Sequence, residues 1–396
     1  MRKPVLGLGV ILALVVAMLS LATAGAAQAT PGKHAQRVCA ATSGATAACL
    51  AKVIVDSKGA VPASTSPAPG ALDPSELQSA YTLGGLKSGG RTVAIVDAYG
   101  YPNLERDLNV YRSQFGLGAC TKTNGCLTVL NQTGGTTAPR FNAGWAGETA
   151  LDVDAVSASC PDCKILVVQA NSASFADLGT AVNTAASKNP SAISNSYGGG
   201  DAADTTYGKY YNHPGIAVTA STGDSGYQGG SYPASSSYVT AVGGTSLVAA
   251  SNSRGWRETV WSGAGSGCST YNTALAAAST YNTGCTKRAM ADVAAAADPS
   301  AGGLAVYYPT SKSASTWAQV GGTSESAPII AAVYALSGNT GSSTVYANAI
   351  PYGHPGNLND VISGSNGTCP TTQWCTARSG WDGPTGLGTP NGAGAF

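Results

Sequence analysis

The chain has 396 residues, with 21 Lys plus Arg against 20 Asp plus Glu, a formal net charge of +1 and only 10% charged residues. No basic excess is present to hold nucleic acid or an anionic membrane surface, so neither is expected as a partner. Glycine alone supplies 52 residues, and a surface built from Gly, Ser, Thr, Asn and Tyr keeps its character as pH changes, which suits a protein facing acidic or variable surroundings.

The chain opens "MRKPVLGLGVILALVVAMLSLATAGAAQA", with Arg2 and Lys3, then an apolar stretch, then Ala27-Gln28-Ala29. This pattern predicts a secretory signal peptide over residues 1–29 and an extracellular product free of the membrane once it is cut. The competing reading is an uncleaved anchor, since the apolar run approaches the length of a span. No positive stop-transfer flank follows it. Residues 30–71 hold too few large apolar side chains for a core of their own and end in "AVPASTSPAPG", a Pro- and Ser-rich linker. They are expected to form a short N-terminal extension or reduced prosegment, with the main domain spanning 72–396. The ten cysteines fall into five close pairs: Cys39 with Cys49, Cys120 with Cys126, Cys160 with Cys163, Cys268 with Cys285, and Cys369 with Cys375. Behind a signal peptide that arrangement predicts five disulfides. A redox or metal role for "CPDC" would need a second CxxC or a nearby His, and the sequence offers neither.

From residue 92 onward strand and helix patterns alternate. "TVAIVDAYG" is a short β-branched run ending at Asp97, and "NLERDLNVYRSQFG" follows with helical spacing. "KILVVQA", "AISNSYG", "IAVTASTGDSG" and "YVTAVGGTS" are strands, and "FADLGTAVNTAASK" is a helix. The alternation predicts an α/β domain with a mostly parallel central sheet. Functional groups in such sheets gather at the carboxyl ends of the strands.

Three stretches carry chemistry. "GWAGETALDVDAV" sets Glu148 and Asp152 four apart, one turn apart on one helical face. Two carboxylates that close share a proton and titrate as a pair, so Glu148 can accept a proton that Asp152 helps to hold. In "ASTGDSG", Asp224 follows an apolar strand in a glycine-rich turn; it reads either as a turn cap or, when protonated, as a donor to a developing oxyanion. "GGTSESAPIIAAVYAL" presents Ser324 and Ser326 ahead of an apolar run opened by Pro328, the place for a nucleophile at the mouth of a helix. A Ser-His-Asp triad is not expected. His34 lies in the extension, His354 follows the serine, and His213 sits in the turn "YYNHPG".

"GGTSESAP" resembles the G-T-S-x-x-x-P serine motif of the sedolisin, or serine-carboxyl, peptidases; "ETALD" resembles their E-x-x-x-D pair and "STGDSG" their oxyanion aspartate turn. The resemblance runs from about residue 73 to the C-terminus and implies a subtilisin-like three-layer fold, polypeptide substrates and peptide hydrolysis at acidic pH by a monomer. It implies Ser324 as nucleophile, Glu148 as general base and acid, Asp152 as its partner and Asp224 as oxyanion donor. Near the end, "LNDVISG" and "RSGWDGPTG" are similar to the family's calcium site. By position the ligands would be Asp360, the carbonyl of Val361, the carbonyls of Arg378 and Gly380, and Asp382, all hard oxygen donors for one structural Ca2+. Arg378 stands where the family usually has glycine. Residues 30–71 are also shorter than the folded propeptide usual in the family. The rival expectation is a retained scaffold of the same fold acting as a binding or cell-surface protein, its chemistry lost.

Overall fold

A computed structural model describes Met1 and residues 32–396 of the chain. The expected signal segment falls outside the described residues, Met1 apart. Three short strands come first: β1 (His34–Arg37), β2 (Ala48–Cys49) and β3 (Lys52–Val55). Helix α1 (Pro74–Ala80) follows, started by Asp73, whose side chain accepts from Glu76 N in a capping box. Strand and helix then alternate through β4 (Thr92–Ala98), α2 (Leu104–Gln114), β5 (Leu127–Asn131), α3 (Ala143–Ser159), β6 (Lys164–Ala170), α4 (Phe175–Ala186) and β7 (Ala192–Asn195). The second half carries β8 (Tyr197–Gly200), β9 (Ala217–Ser221), β10 (Ser231–Tyr232), β11 (Thr240–Ala249), β12 (Trp256–Val260), β13 (Gly267–Cys268), β14 (Ala289–Met290) and β15 (Val293–Ala296). A hairpin of β16 (Leu304–Pro309) and β17 (Ser315–Gly321) leads into α5 (Thr323–Ser337).

The central sheet has the order β12-β11-β9-β7-β4-β6-β5, with β15 also paired to β11. Every pairing in it is parallel except β11 with β12, as the alternation of elements predicts. Period-two alternation along the strands sorts their side chains into two cores. Val93 and Ile95 of β4 join the cluster that contains Leu151 and Val156 of α3 and Ile329, Ile330 and Val333 of α5. Ala94, Val96 and Ala98 join the cluster of Leu178, Ala181 and Val182 of α4. The result is the expected helix-sheet-helix sandwich, in which each buried Val, Leu or Ile contributes about 1.5–3 kcal/mol.

The first three strands do not stand apart from this body, and residues 32–396 form one compact unit. β3 pairs with both β1 and β17, while β2 pairs with β8. All five cysteine pairs close as disulfides in the expected combinations. Among the described residues no helix is long and apolar enough to cross a membrane.

Candidate active site

Helix α3 starts where the Asn142 side chain accepts from Trp145 N, and from Trp145 to Ser159 every residue is buried. A helix enclosed on all sides carries its polar residues into the interior, so Glu148 and Asp152 enter the core as one face. Both are fully buried. Asp152 Oδ1 accepts from Ser196 Oγ at 2.7 Å, and Glu148 Oε2 accepts from Ala51 N at 2.9 Å. Their other oxygens, Asp152 Oδ2 and Glu148 Oε1, have no partner.

Ser324 is the second residue of α5, a helix likewise buried along its length. Its hydroxyl donates to Ser196 O at 3.3 Å. The same hydroxyl stands near enough to Glu148 to favour its ionised form, without closing a full hydrogen bond. Its proton thus points to the carbonyl of Ser196 while the carboxyl of Glu148 lies close by. Pro328 contributes as well. Lacking an N–H, it leaves the carbonyl of Ser324 without its helical donor, and Ser196 Oγ lies 3.2 Å from that oxygen.

A third carboxyl completes the cluster. Asp97 ends β4 on the face of Val93 and Ile95, toward α3; it is fully buried and both its oxygens lack partners. Burial pushes Asp97 up to about 7. Glu148 is raised well above its ordinary value by burial and then by the charge of Asp97, and Asp152 by burial, Asp97 and Glu148. None of these three forms an ion pair, so they hold protons in common and ionise as a set.

Asp224 lies opposite, in the turn after β9. Its Oδ1 accepts from Thr323 N at 2.8 Å and Thr323 Oγ1 at 2.9 Å, while Oδ2 has no partner. Burial pushes it up to about 6, against the pull of Lys52, whose Nζ donates to the Asp224 carbonyl at 2.7 Å. With Oδ1 committed as acceptor, a proton on Asp224 belongs on Oδ2. That oxygen faces Gly322, whose φ of +106° and close neighbours admit only glycine: a Cβ there would sit 2.6 Å from Asp224 Oδ2 and 2.1 Å from Leu50 O.

All four residues named from the sequence thus converge, and Ser324 and Asp152 are linked through Ser196. Asp97, Ser196, Thr323 and Lys52 were not anticipated as members of the site. Asp97 had a usable signal, a carboxylate at the carboxyl end of a buried parallel strand; the others act through backbone or hydroxyl groups that leave no pattern. His213 is bound in its turn, 3.0 Å from Tyr210 O. Ser326 donates to the carbonyls of Ala295 and Ala296 and points away from the carboxyls.

In the C-terminal loop, Asp382 is buried and Asp360 exposed. Asp360 Oδ2 accepts from Gly380 N at 2.9 Å, and Asp382 Oδ2 from Arg378 N at 3.3 Å. Burial, with the like charge of Asp360 added, pushes Asp382 up to about 7. The Arg378 side chain bonds Gln373 Oε1 and forms no ion pair with either aspartate. A loop that brings two carboxylates together without a counter-ion suits a hard cation, although among the described residues no three acidic or metal-ligating side chains group together.

The profile of the subtilase family matches residues 141–379, which include every candidate residue except Gly380, Asp382 and those ahead of α3. Kumamolisin from Bacillus sp. (strain MN-32) is 31% identical over 365 residues, covering 83% of this chain; the chain spans 64% of that relative's length. Tripeptidyl-peptidase sed1 from Aspergillus fumigatus is 44% identical over 77 residues, 18% of this chain and 12% of the relative. Among solved structures, Pseudomonas sedolisin, a serine-carboxyl proteinase complexed with two molecules of pseudo-iodotyrostatin, superposes with a TM-score of 0.67 at 24% identity, over 83% of this chain and 96% of its own. Sphericase superposes with a TM-score of 0.50 at 18% identity, over 83% and 99%. The chain belongs to the subtilase family.

Proposed function

We propose that this chain is a secreted serine-carboxyl peptidase acting on polypeptides at acidic pH. The observation that carries the reading is the cluster of buried carboxyls without cations around Ser324, one of which, Glu148, is close enough to the hydroxyl for it to favour the ionised form. Ser324 attacks the carbonyl carbon of the substrate as Glu148 takes its proton. Asp152, held by Ser196, and Asp97 share protons with Glu148 and set how readily it does so. Asp224, protonated on Oδ2, donates to the developing oxyanion, and Glu148 then returns its proton to the leaving amine. Water hydrolyses the resulting ester by the reverse sequence.

The two halves of this scheme need opposite ionisation states. Glu148 must be at least partly ionised while Asp224 stays neutral, so activity declines as pH rises through about 6, where Asp224 loses its proton. Digestion of a mixed peptide library from about pH 3 to 8, read by mass spectrometry, tests this. A profile that peaks above pH 7 would sink the assignment of Asp224, and full activity in Ser324→Ala would sink the whole scheme. The library also distinguishes internal cleavage from removal of tripeptides, the activity in the name of the Aspergillus relative.

For the C-terminal loop, the reading is one structural Ca2+ held by Asp360, Asp382 and the carbonyls of Val361, Arg378 and Gly380. When bound it would cancel the repulsion between the two carboxylates and tie the chain ends of the loop together.

A further inference from the structure

A cavity of about 380 Å³ opens beside Asp224, with Gly226, Gln228, Gly229, Gly265 and Ser266 among its walls. Two segments make this side of it. The turn that carries Asp224 is bonded to residues 263–266 by Gly265 N to Gly223 O at 2.7 Å and by Gly226 N to Gly263 O at 2.9 Å. Tyr227 and Ser266 then form a parallel bridge. Both segments are rich in glycine and both lie outside the named strands, so their own backbone gives them little stiffness.

What stiffens them lies behind the wall, in the loop between Asp360 and Asp382. Asn366 is buried and stands back from the cavity. Its O accepts from Tyr227 N at 3.1 Å, while its Nδ2 donates to Ala264 O at 2.6 Å and to Ser266 Oγ at 2.8 Å. One residue thereby bonds both segments. Ser266 Oγ in turn donates to Trp374 O at 2.6 Å. The approach is close: a Cβ on Gly226, whose φ is +73°, would sit 2.4 Å from Asn366 O. The loop itself is closed by Asn366 N to Cys375 O, by Ala377 N to Gly364 O and by the Cys369–Cys375 disulfide. Asn366 Oδ1 has no partner, so the two N–H groups alone fix the direction of the amide. Turned over, its oxygen would face the carbonyl of Ala264.

Asp224 is held independently of this clip. Its carboxyl accepts from Thr323 N and Thr323 Oγ1, and its carbonyl from Lys52 Nζ. Loss of the Asn366 amide therefore loosens the wall and leaves the oxyanion donor in place.

We infer that Asn366 is a positioning residue for substrate recognition: through Tyr227, Ala264 and Ser266 it keeps the cavity in the shape that receives the side chain of the residue whose carbonyl is attacked. This rests on the peptidase reading above and makes the C-terminal disulfide loop a support of that site. The loop acts on binding and not on the chemical step.

The test uses the full secreted chain as wild type, Asn366→Leu, Ser266→Ala and the double variant. Steady-state kinetics at about pH 4 follow two fluorogenic peptides that differ only in the residue before the cut bond, leucine or alanine. Near-ultraviolet circular dichroism gives the folded fraction, to which kcat is referred. Asn366→Leu should raise KM for the leucine peptide at least about tenfold and for the alanine peptide less than about threefold, with kcat within about threefold of wild type for both. Ser266→Ala should raise KM for the leucine peptide at least about threefold, and the double variant should be no worse than Asn366→Leu, because the two residues share one bond. The proposal is overturned if Asn366→Leu leaves KM for the leucine peptide near wild type, if it raises both KM values alike, or if kcat falls tenfold or more with KM unmoved. Should Asn366→Leu fail to fold, Ser266→Ala takes its place, and an unchanged KM for the leucine peptide overturns the proposal. In all these outcomes the peptidase reading survives. If wild type cuts neither these peptides nor a mixed library, that reading falls and takes this one with it.

Discussion

Two buried acidic centres in this chain are built in opposite ways. Around Asp292, Arg288 reaches both carboxylate oxygens, Tyr352 Oη donates to Oδ1 at 2.7 Å and Ala241 N to Oδ2 at 2.7 Å. Each oxygen has two donors and the charge has its counter-ion, although the pair is almost wholly out of water. Around Ser324, Asp97, Glu148 and Asp152 have no cation, and four of their six oxygens have no partner. An unpaired buried polar atom costs about 1–3 kcal/mol. A fold able to satisfy Asp292 so fully leaves the other site unsatisfied where the proposed mechanism moves protons. Burial is common to both centres, and what separates them is the cation.

Removing one acid from each centre gives the sharpest contrast. Glu148→Gln should lower kcat by about 10²–10⁴ with no loss of melting temperature, because a proton acceptor is lost and a repelling charge with it. Asp292→Ala should do the reverse. It strands a buried guanidinium, which costs about 3–5 kcal/mol, and activity should fall only in proportion to the folded fraction. Thermal unfolding beside steady-state kinetics checks both. If Glu148→Gln melted far below wild type while Asp292→Ala held its stability, the contrast would be wrong.

The pH dependence of stability follows from the same difference. Asp97 has a folded value of about 7 against an ordinary value of 3.8, so the folded protein binds its proton more tightly than the unfolded chain. Its contribution is fully present below about 3.8 and is lost as pH rises through about 7. Asp224, raised to about 6, acts in the same sense over a narrower window. Stability should therefore fall from acid toward neutral pH by a few kcal/mol, and Asp97→Asn should flatten the slope. Urea unfolding at pH 4, 5.5 and 7 measures it; a slope unchanged in Asp97→Asn would show that the proton sits elsewhere. Asp224→Asn should cost about 10²–10³ in kcat, with Ser324 and Glu148 untouched, by removing the oxyanion donor.

The sequence speaks plainly where chemistry or hydrophobic period marks it. The strands β4, β6, β7 and β9 and the helices α2, α3 and α4 are legible from β-branched runs and helical spacing, and the cysteine pairs from their closeness. Glu148, Asp152, Asp224 and Ser324 are legible as candidates because "ETALD", "STGDSG" and "GGTSESAP" resemble motifs of a known family. Residues 34–55 are not. Their low content of large apolar side chains suggests an appendage, yet they are held by backbone hydrogen bonds to β8 and β17, and such bonds require no particular side chain. Ser196 is hidden for a related reason. Its role depends on Pro328 freeing one carbonyl far away in the chain, and nothing near residue 196 records that.

The C-terminal loop supplies a third acidic centre, intermediate between the other two, and the smallest expected effect. Like the Ser324 cluster it has no cation of its own among the side chains; like Asp292 its buried carboxylate is well supplied with donors, from Thr385 N, Thr385 Oγ1 and Arg378 N. A centre so placed can gain its missing counter-charge from solution. Calcium binding only to the folded chain should add about 3 kcal/mol at a hundredfold excess over Kd. In a domain of this size that corresponds to a shift of roughly 4 °C in Tm, reversed by a chelator. Asp360→Asn should reduce the shift while leaving the calcium-free Tm near that of wild type, because Asp360 is exposed and its one hydrogen bond, from Gly380 N, can be accepted by an amide oxygen. A calcium-dependent shift that survives Asp360→Asn undiminished would place the ion elsewhere in the chain. The absence of any shift would leave this loop as a second self-sufficient acidic centre, closer in kind to Asp292 than to Ser324.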